Sequence, residues 1–474
     1  MEQSNLYWRR LRQLPFVQRT RLFDPQSTNR RILNASLMLA VTTVIAKLVG
    51  MLKELCIAYS FGASDQIDAF LIAYLPVSCA VTVFAGSFGT SMLPALVTTK
   101  DNKSQRNQLV AQCHFRLNLV LVAVAIILFA AAPKLSELLS PASHEDASRY
   151  VSRLMTFMLP VLFFQGLASF WTTILNSEER FILPSLSEIV VSSSIAAFAL
   201  LGGSKWGADG IVAGLAVGSF VQWIILQWLA WRLEFTLAPN VRTQTISFAS
   251  VRQQYWFVVA ATLVASASNF VDTAMAAGVG VGSVAMLAFG TKLISVVNGI
   301  GSMSFGRAIF PHLAAMVAAR QWRETYRSVL TFTLVILLVT VPLAAVFAVG
   351  APWIVPALFQ RGAFTSQMAV DVTRVMQAAS LQTPLFVLSI LFVRLNSALN
   401  QNQVLTVIAV TSVASNIVLN RIFLNWIGLP GIALSTACVY GLSLCIAASF
   451  AFWGLATRSN SEHHQQDATT SHAA

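Results

Sequence analysis

Lys47, Lys53, Glu54, Asp68 and Lys292 are ionisable residues set inside long apolar stretches of the chain. A charged side chain in hydrocarbon costs about 2.5–3.5 kcal/mol on insertion scales, so such groups normally face a partner or a water-filled cavity. The chemistry open to them is electrostatic. Ammonium groups gather anions, and carboxylates pair with the lysines or take up a proton or a sodium ion. Glu54 lies seven residues after Lys47 and therefore on nearly the same helical face. Lys292 sits about 13 Å into its own stretch and has no carboxylate at helical spacing. Two readings of Lys47 stay open: it lines a functional cleft, or it pairs with a carboxylate and fixes helix packing. Lys53 either joins it or snorkels outward.

The elements that must carry these residues are membrane helices. Hydrophobic residues make up 56% of the 474-residue chain and charged ones 11%, with a mean hydropathy of +0.68. Soluble proteins carry about 25% charged residues. Apolar runs long enough to cross a ~30 Å core lie near 32–58, 67–97, 109–132, 150–175, 181–202, 208–231, 253–277, 283–317, 328–350, 371–395, 403–427 and 431–456. They are continuous and do not alternate, which excludes a barrel.

The chain is also duplicated. Ser87-Phe88-Gly89 with Pro94 recurs as Ser304-Phe305-Gly306 with Pro311, an offset of 217 residues. Ala132-Pro133 matches Ala351-Pro352, Arg153-Leu154-Met155 matches Arg374-Val375-Met376, Leu175-Asn176-Ser177 matches Leu395-Asn396-Ser397, and Gly207 and Gly210 match Gly428 and Gly431, with the offset drifting only to 221. The expected fold is an all-α polytopic membrane protein of about twelve helices, in two six-helix lobes related by a pseudo-twofold axis along the membrane normal. The divisions expected are a basic cytoplasmic segment 1–31, an N-lobe 32–232, a linker 233–252, a C-lobe 253–456 and a disordered tail 457–474. Lys47 and Lys292, one from each lobe, would point into one cleft.

Positive charge sets the expected orientation. Eighteen Lys and Arg fall in segments on the side of the N-terminus against four on the other side, so both termini are expected in the cytoplasm, at the inner membrane. The net charge of +12 is then a topology signal, and no nucleic-acid motif accompanies it. The basic segment 1–31 is either an interfacial helix or a mobile tail. Five cysteines without a Cys-x-x-Cys pair read as packing residues, and no metal site is expected. The loops are too short for a catalytic domain and hold no phosphate-cradling or triad motif, so the chain is not expected to be an enzyme.

Paired glycines and prolines, Gly89 and Pro94 with Gly306 and Pro311, would permit bends at the inner ends of matching helices, or simply end them. Arg153 and Arg374 would guard an outer gate or share a structural role.

Ala46-Lys-Leu-Val-Gly-Met-Leu-Lys-Glu54, Phe61-Gly-Ala-Ser, Asp68-Ala-Phe and Leu75-Pro76 resemble, in order and spacing, the opening of the MurJ/MviN lipid II flippase family. Leu358-Phe-Gln-Arg-Gly-Ala-Phe-Thr365 is similar to the family's Leu-Phe-x-x-Gly-x-Phe-Thr. The resemblance implies alternating access by two lobes and a cationic cavity for a diphosphate-sugar head group. Carried across, the cavity arginines fall on Lys47, Lys53 and Lys292 as substrate-binding residues. Glu54 and Asp68 become ion-coupling or cavity-pairing residues. Lysine keeps the charge and loses the bidentate fork. The family's second-helix arginine and glutamate fall near Ala80 and Ala85, and its two further helices have no counterpart after the twelfth. The resemblance thus implies a flippase for an undecaprenyl-diphosphate-linked glycan, an exopolysaccharide or O-antigen unit, or lipid II. It needs no cofactor beyond H+, Na+ or the membrane potential, and its expected partners are a polysaccharide polymerase and a chain-length regulator. The alternatives are a cation-coupled drug or metabolite antiporter and, more remotely, a glycan polymerase.

Overall fold

Runs of apolar residues bounded by Gly, Pro and polar clusters become helices throughout. The computed structural model describes residues 28–99, 102–139, 145–235, 248–401 and 403–473; side chains are described from Val41 to Arg458, apart from 204, 248–250, 303–308 and 310–311 within that range. Segment 1–27 and linker residues 236–247 lie outside it.

The first lobe holds α1 (Thr28–Phe61), α2 (Asp65–Thr98), α3 (Lys103–Leu139), α4 (Glu145–Phe157 continued by Leu159–Ser177), α5 (Ile182–Gly203) and α6 (Lys205–Arg232). The second holds α7 (Phe248–Ala277), α8 (Ser283–Ala318), α9 (Trp322–Phe359), α10 (Ser366–Ser380 continued by Gln382–Ala398), α11 (Gln403–Ile427) and α12 (Pro430–Ala473). Eleven of these are long and apolar enough to cross a membrane by length and composition, and α1 makes the twelfth element of the series. The protein is a multi-pass membrane protein of two six-helix lobes.

The repeat is visible at its turns. Gly207 in the first turn of α6 has φ 55°, and its match Gly428 between α11 and α12 has φ 69°, a backbone region that favours glycine. Three residues on, a Cβ on Gly431 would stand 2.4 Å from the Phe423 backbone, whereas one on Gly210 would meet the Trp206 side chain at 3.0 Å. Gly431→Ala is therefore expected to cost about 1–3 kcal/mol by overpacking. Its thermal midpoint in detergent should fall further than that of Gly210→Ala.

Three sequence expectations change. α4 breaks at Met158 because Pro160 follows, and its first piece is a separate amphipathic helix. α2 ends at Thr98 and α8 at Ala318, each within a residue of the expected span end and a few residues past Pro94 and Pro311. The irregularity in α2 lies earlier, as a π-helical turn at Val81–Gly86. The backbone after Arg458 stays helical to Ala473 where a disordered tail was expected; that stretch contains neither Gly nor Pro.

Among the described residues, loops that follow odd-numbered helices gather on one face, called here the odd face, and those that follow even-numbered helices on the even face. At the even face Arg106 Nη1 reaches Glu178 Oε1 at 2.6 Å, and Lys103 bonds Glu234, holding that carboxyl below its ordinary range. The lobes are joined along α2 and α7, where Phe88 and Tyr255 pack at a tilt with centroids 5.1 Å apart and Ser87 Oγ lies 3.4 Å from Thr262 Oγ1. α1 instead packs along α5 and α6 of its own lobe and meets α8 less extensively. A cleft opens between α1 and α8, where Lys47, Lys53 and Lys292 stand.

Candidate functional site

The odd face closes this cleft by backbone contacts that only small residues allow. Ala363 N donates to Tyr59 O at 2.9 Å, and a Cβ on Gly362, at φ 63°, would sit 2.2 Å from that same oxygen. A Cβ on Gly62 would meet Ala363 O at 2.6 Å, and one on Gly282 would meet Ala63 O at 2.3 Å. Below these loops Phe289, Phe359 and Phe364 of the second lobe pack with centroids 5.5–6.0 Å apart as an apolar plug.

Asp68 belongs to this seal. Its Oδ2 accepts from Gly282 N at 2.6 Å and its Oδ1 from Ala285 N at 2.8 Å. The carboxylate of one lobe therefore caps the N-terminus of α8 in the other, where unpaired N–H groups and the helix dipole favour negative charge. It lines neither of the cavities described next.

Under the plug lies a cavity of about 530 Å³ walled by α1, α2, α5 and α8. Lys47, Lys53, Glu54 and Lys292 all line it. Glu54 Oε1 accepts from Lys53 Nζ at 2.9 Å and from Lys292 Nζ at 2.7 Å. The partner that Lys292 lacked in the sequence is thus supplied from the other lobe. Glu54 is the most enclosed of the three, its side chain 14% exposed against 20% for Lys53 and 34% for Lys292. Lys47 makes no ion pair within 4 Å among the described residues and faces open space. Of the gating candidates, Arg153 lies 3.8 Å from Asp209 and stacks on Phe157 within its own lobe, and Arg374 is exposed on α10. Gly89 presses α2 onto Thr173 of α4; a Cβ there would lie 2.4 Å from Thr173 Oγ1. The side chains at Gly306 and Pro311 lie outside the described set.

A second cavity of about 740 Å³ continues into the C-lobe between α7, α8, α10 and α12, and shares Lys47, Leu71, Tyr74, Ala288 and Ser295 with the first. Two further acidic residues face these spaces. Glu188 of α5 lines the first cavity near Lys47. Asp272 of α7 lines the second, its Oδ1 accepting from Asn416 Nδ2 at 3.0 Å and Asn420 Nδ2 at 2.6 Å. An Asn pair four residues apart within an apolar helix is the signal that would have pointed to Asp272. With the amides turned, the group offers a carboxylate and two carbonyl oxygens to a hard cation. No group of three or more His, Cys, Asp or Glu suited to a metal occurs among the described residues.

The first cavity carries three ammonium groups against two carboxylates, one of which is shared between two lysines. Such a site attracts a multivalent anion, which can take over the lysines from Glu54 and engage Lys47 as well. Lys presents a point charge, so recognition rests on charge and less on planar geometry.

Similarity to known proteins agrees with this geometry. The family model described as lipid II flippase MurJ matches residues 57–472. A probable lipid II flippase MurJ of Synechocystis sp. is 25% identical over 445 residues, 88% of this chain and 81% of that protein. Lipid II flippase MurJ of Burkholderia cenocepacia is 22% identical, over 90% of this chain and 84% of its own length. Among solved structures, a lipid II flippase MurJ in an inward closed conformation superposes with a TM-score of 0.74 at 17% identity, covering 89% of this chain and 90% of that one. An inward-facing multidrug resistance MATE family transporter also reaches 0.74 at 12% identity, covering 89% and 99%.

Proposed function

The chain belongs to the lipid II flippase MurJ family, and from that premise we propose that it moves an undecaprenyl-diphosphate-linked saccharide across the inner membrane by alternating access. Lipid II is the member of that cargo class which the family name specifies; an exopolysaccharide or O-antigen unit shares the diphosphate chemistry. The observation that carries the reading is the meeting of Lys53 and Lys292, from different lobes, on one carboxylate beside Lys47. The cation-coupled drug or metabolite antiporter, the alternative, shares the fold, but three lysines in the cleft favour an anionic cargo.

In this reading the even face is cytoplasmic, in keeping with the charge distribution of the loops. The diphosphate enters between α1 and α8, replaces Glu54 as counter-ion of Lys53 and Lys292, and engages Lys47, while the polyprenyl tail stays in lipid. Once the lysines are satisfied by cargo, Glu54 no longer ties α1 to α8, and the odd-face seal can part. The charge carried couples this motion to the membrane potential at about 2.3 kcal/mol per charge per 100 mV. Asp272, whose described partners are two amides and the Thr436 hydroxyl and not cations, replaces Glu54 and Asp68 as the proposed coupling carboxylate for H+ or Na+. No bond is made or broken. Where the cargo is an exopolysaccharide or O-antigen unit, a polymerase and a chain-length regulator would take it over at the outer face.

Depletion of the protein tests this directly. Undecaprenyl-diphosphate-linked glycan should accumulate in the inner leaflet, and mass spectrometry of that lipid names the saccharide. Depletion without such accumulation rejects the proposed cargo class.

A further inference from the structure

The second cavity differs from the first in its chemistry. Its wall carries the amides of Asn269, Asn298 and Gln382, none of which has a hydrogen bond among the described residues. Asn298 and Gln382 are each only 8% exposed, and Asn298 Oδ1 is buried without a partner. Polar side chains at this depth are ordinarily satisfied, and an unsatisfied one is costly. Their groups are turned to a space large enough for a ligand. Beside them Tyr440 and Phe386 form an edge-to-face pair with centroids 5.0 Å apart, and the Tyr440 hydroxyl also lacks a hydrogen bond among the described residues.

Charge is nearly absent here. Asp272 is held by its two asparagines, and Lys47 stands on the border with the first cavity. Unpartnered amides that both donate and accept, a phenol and an aromatic face match a neutral polyhydroxylated ligand whose ring hydroxyls and acetamido groups donate and accept in turn.

The geometry points to a saccharide subsite in the C-lobe, formed by Asn298, Gln382 and Tyr440 and continuous at Lys47 with the diphosphate site, so that the head group lies across both lobes. This rests on the flippase reading above and adds where the sugars sit. It gives the two parts of one cargo separate places: the phosphates bridge the lobes at α1 and α8, and the glycan fills the second-lobe chamber of α8, α10 and α12. A cargo that lacks its sugars would then hold only half of the site.

The test uses the purified full chain in nanodiscs with two probes, bare undecaprenyl diphosphate and undecaprenyl diphosphate carrying an N-acetylglucosaminyl-N-acetylmuramoyl disaccharide without peptide. The wild-type protein should bind the disaccharide lipid at least tenfold more tightly than the bare one. The double variant Asn298→Leu/Gln382→Leu should bind both with the bare lipid's affinity. Because neither amide has a protein partner to orphan, that variant should keep the wild-type thermal midpoint; Tyr440→Phe provides a second, smaller perturbation with the same expected direction. Equal wild-type affinity for the two lipids overturns the subsite and leaves the diphosphate reading intact. So does an equal loss of both lipids in the variants, or a contribution to affinity that appears only when a peptide is added. Binding of neither lipid by the wild-type protein overturns both proposals.

Discussion

Lys292→Ala is expected to slow translocation roughly tenfold to hundredfold in reconstituted vesicles, at unchanged protein level, while Lys292→Arg keeps most of the activity. A hydrogen bond between charged groups contributes about 1.5–3 kcal/mol, and each 1.4 kcal/mol is tenfold in affinity. Lys47→Ala should lose a comparable factor, since Lys47 faces the cavity without an ion-pair partner among the described residues. A double variant separates the two roles open to Lys292. If it served only to neutralise Glu54 and hold two helices together, Lys292→Ala/Glu54→Gln would restore function by removing the orphaned carboxylate. If Lys292 holds phosphate, the double variant stays slow. Restoration to wild-type rate would therefore reject the cargo role of Lys292 and leave the packing role.

The same pair shows what the sequence disclosed and what it hid. That Lys47, Lys53 and Lys292 lie within spanning helices was legible from charge within apolar runs, and the duplication placed one lysine group in each lobe. Their shared carboxylate was not legible, because Glu54 and Lys292 are 238 residues apart and no helical spacing connects them. The cavity positions of Glu188 and Asp272 were hidden for a related reason. Position along a span says how deep a residue lies but not which way it faces, and both face cavities built by helices from elsewhere in the chain. Asp68 erred in the opposite direction. Its place beside Phe61-Gly-Ala-Ser suggested a cavity role, yet it caps a helix of the other lobe. The two short patches that resembled the flippase family are, in space, one structure. Gly62 and Gly362 face each other's loops, and Phe359 and Phe364 fill the plug beneath them. Tight backbone approach restricts residue type far more than cavity lining does, which is why those patches stood out and the cavity walls did not.

Because the seal is built from few contacts, one of them should control how often it opens. Asp68→Ala removes two hydrogen bonds to a charged acceptor and the compensation of the α8 N-terminus. At about 1.5 kcal/mol each, the lower end of the range, the loss of about 3 kcal/mol would shift the closed-to-open ratio at the odd face by about a hundredfold. Asp68→Asn keeps one acceptor oxygen and should fall between. Ile57 lines the first cavity directly below the seal and is 3% exposed. With the five native cysteines replaced and Ile57→Cys introduced, a membrane-impermeant maleimide added outside cells reports opening at that face. Labelling should rise strongly in Asp68→Ala, less in Asp68→Asn, and little in the Asp68 parent. Transport should fall in the same order, because a protein that rests open to the outside offers its lysines less often to cargo arriving from within. Should the folded Asp68→Ala protein label no faster than its parent, the carboxylate cap is not what holds the lobes together, and the glycine-lined loops and the phenylalanine plug carry the closure by packing alone.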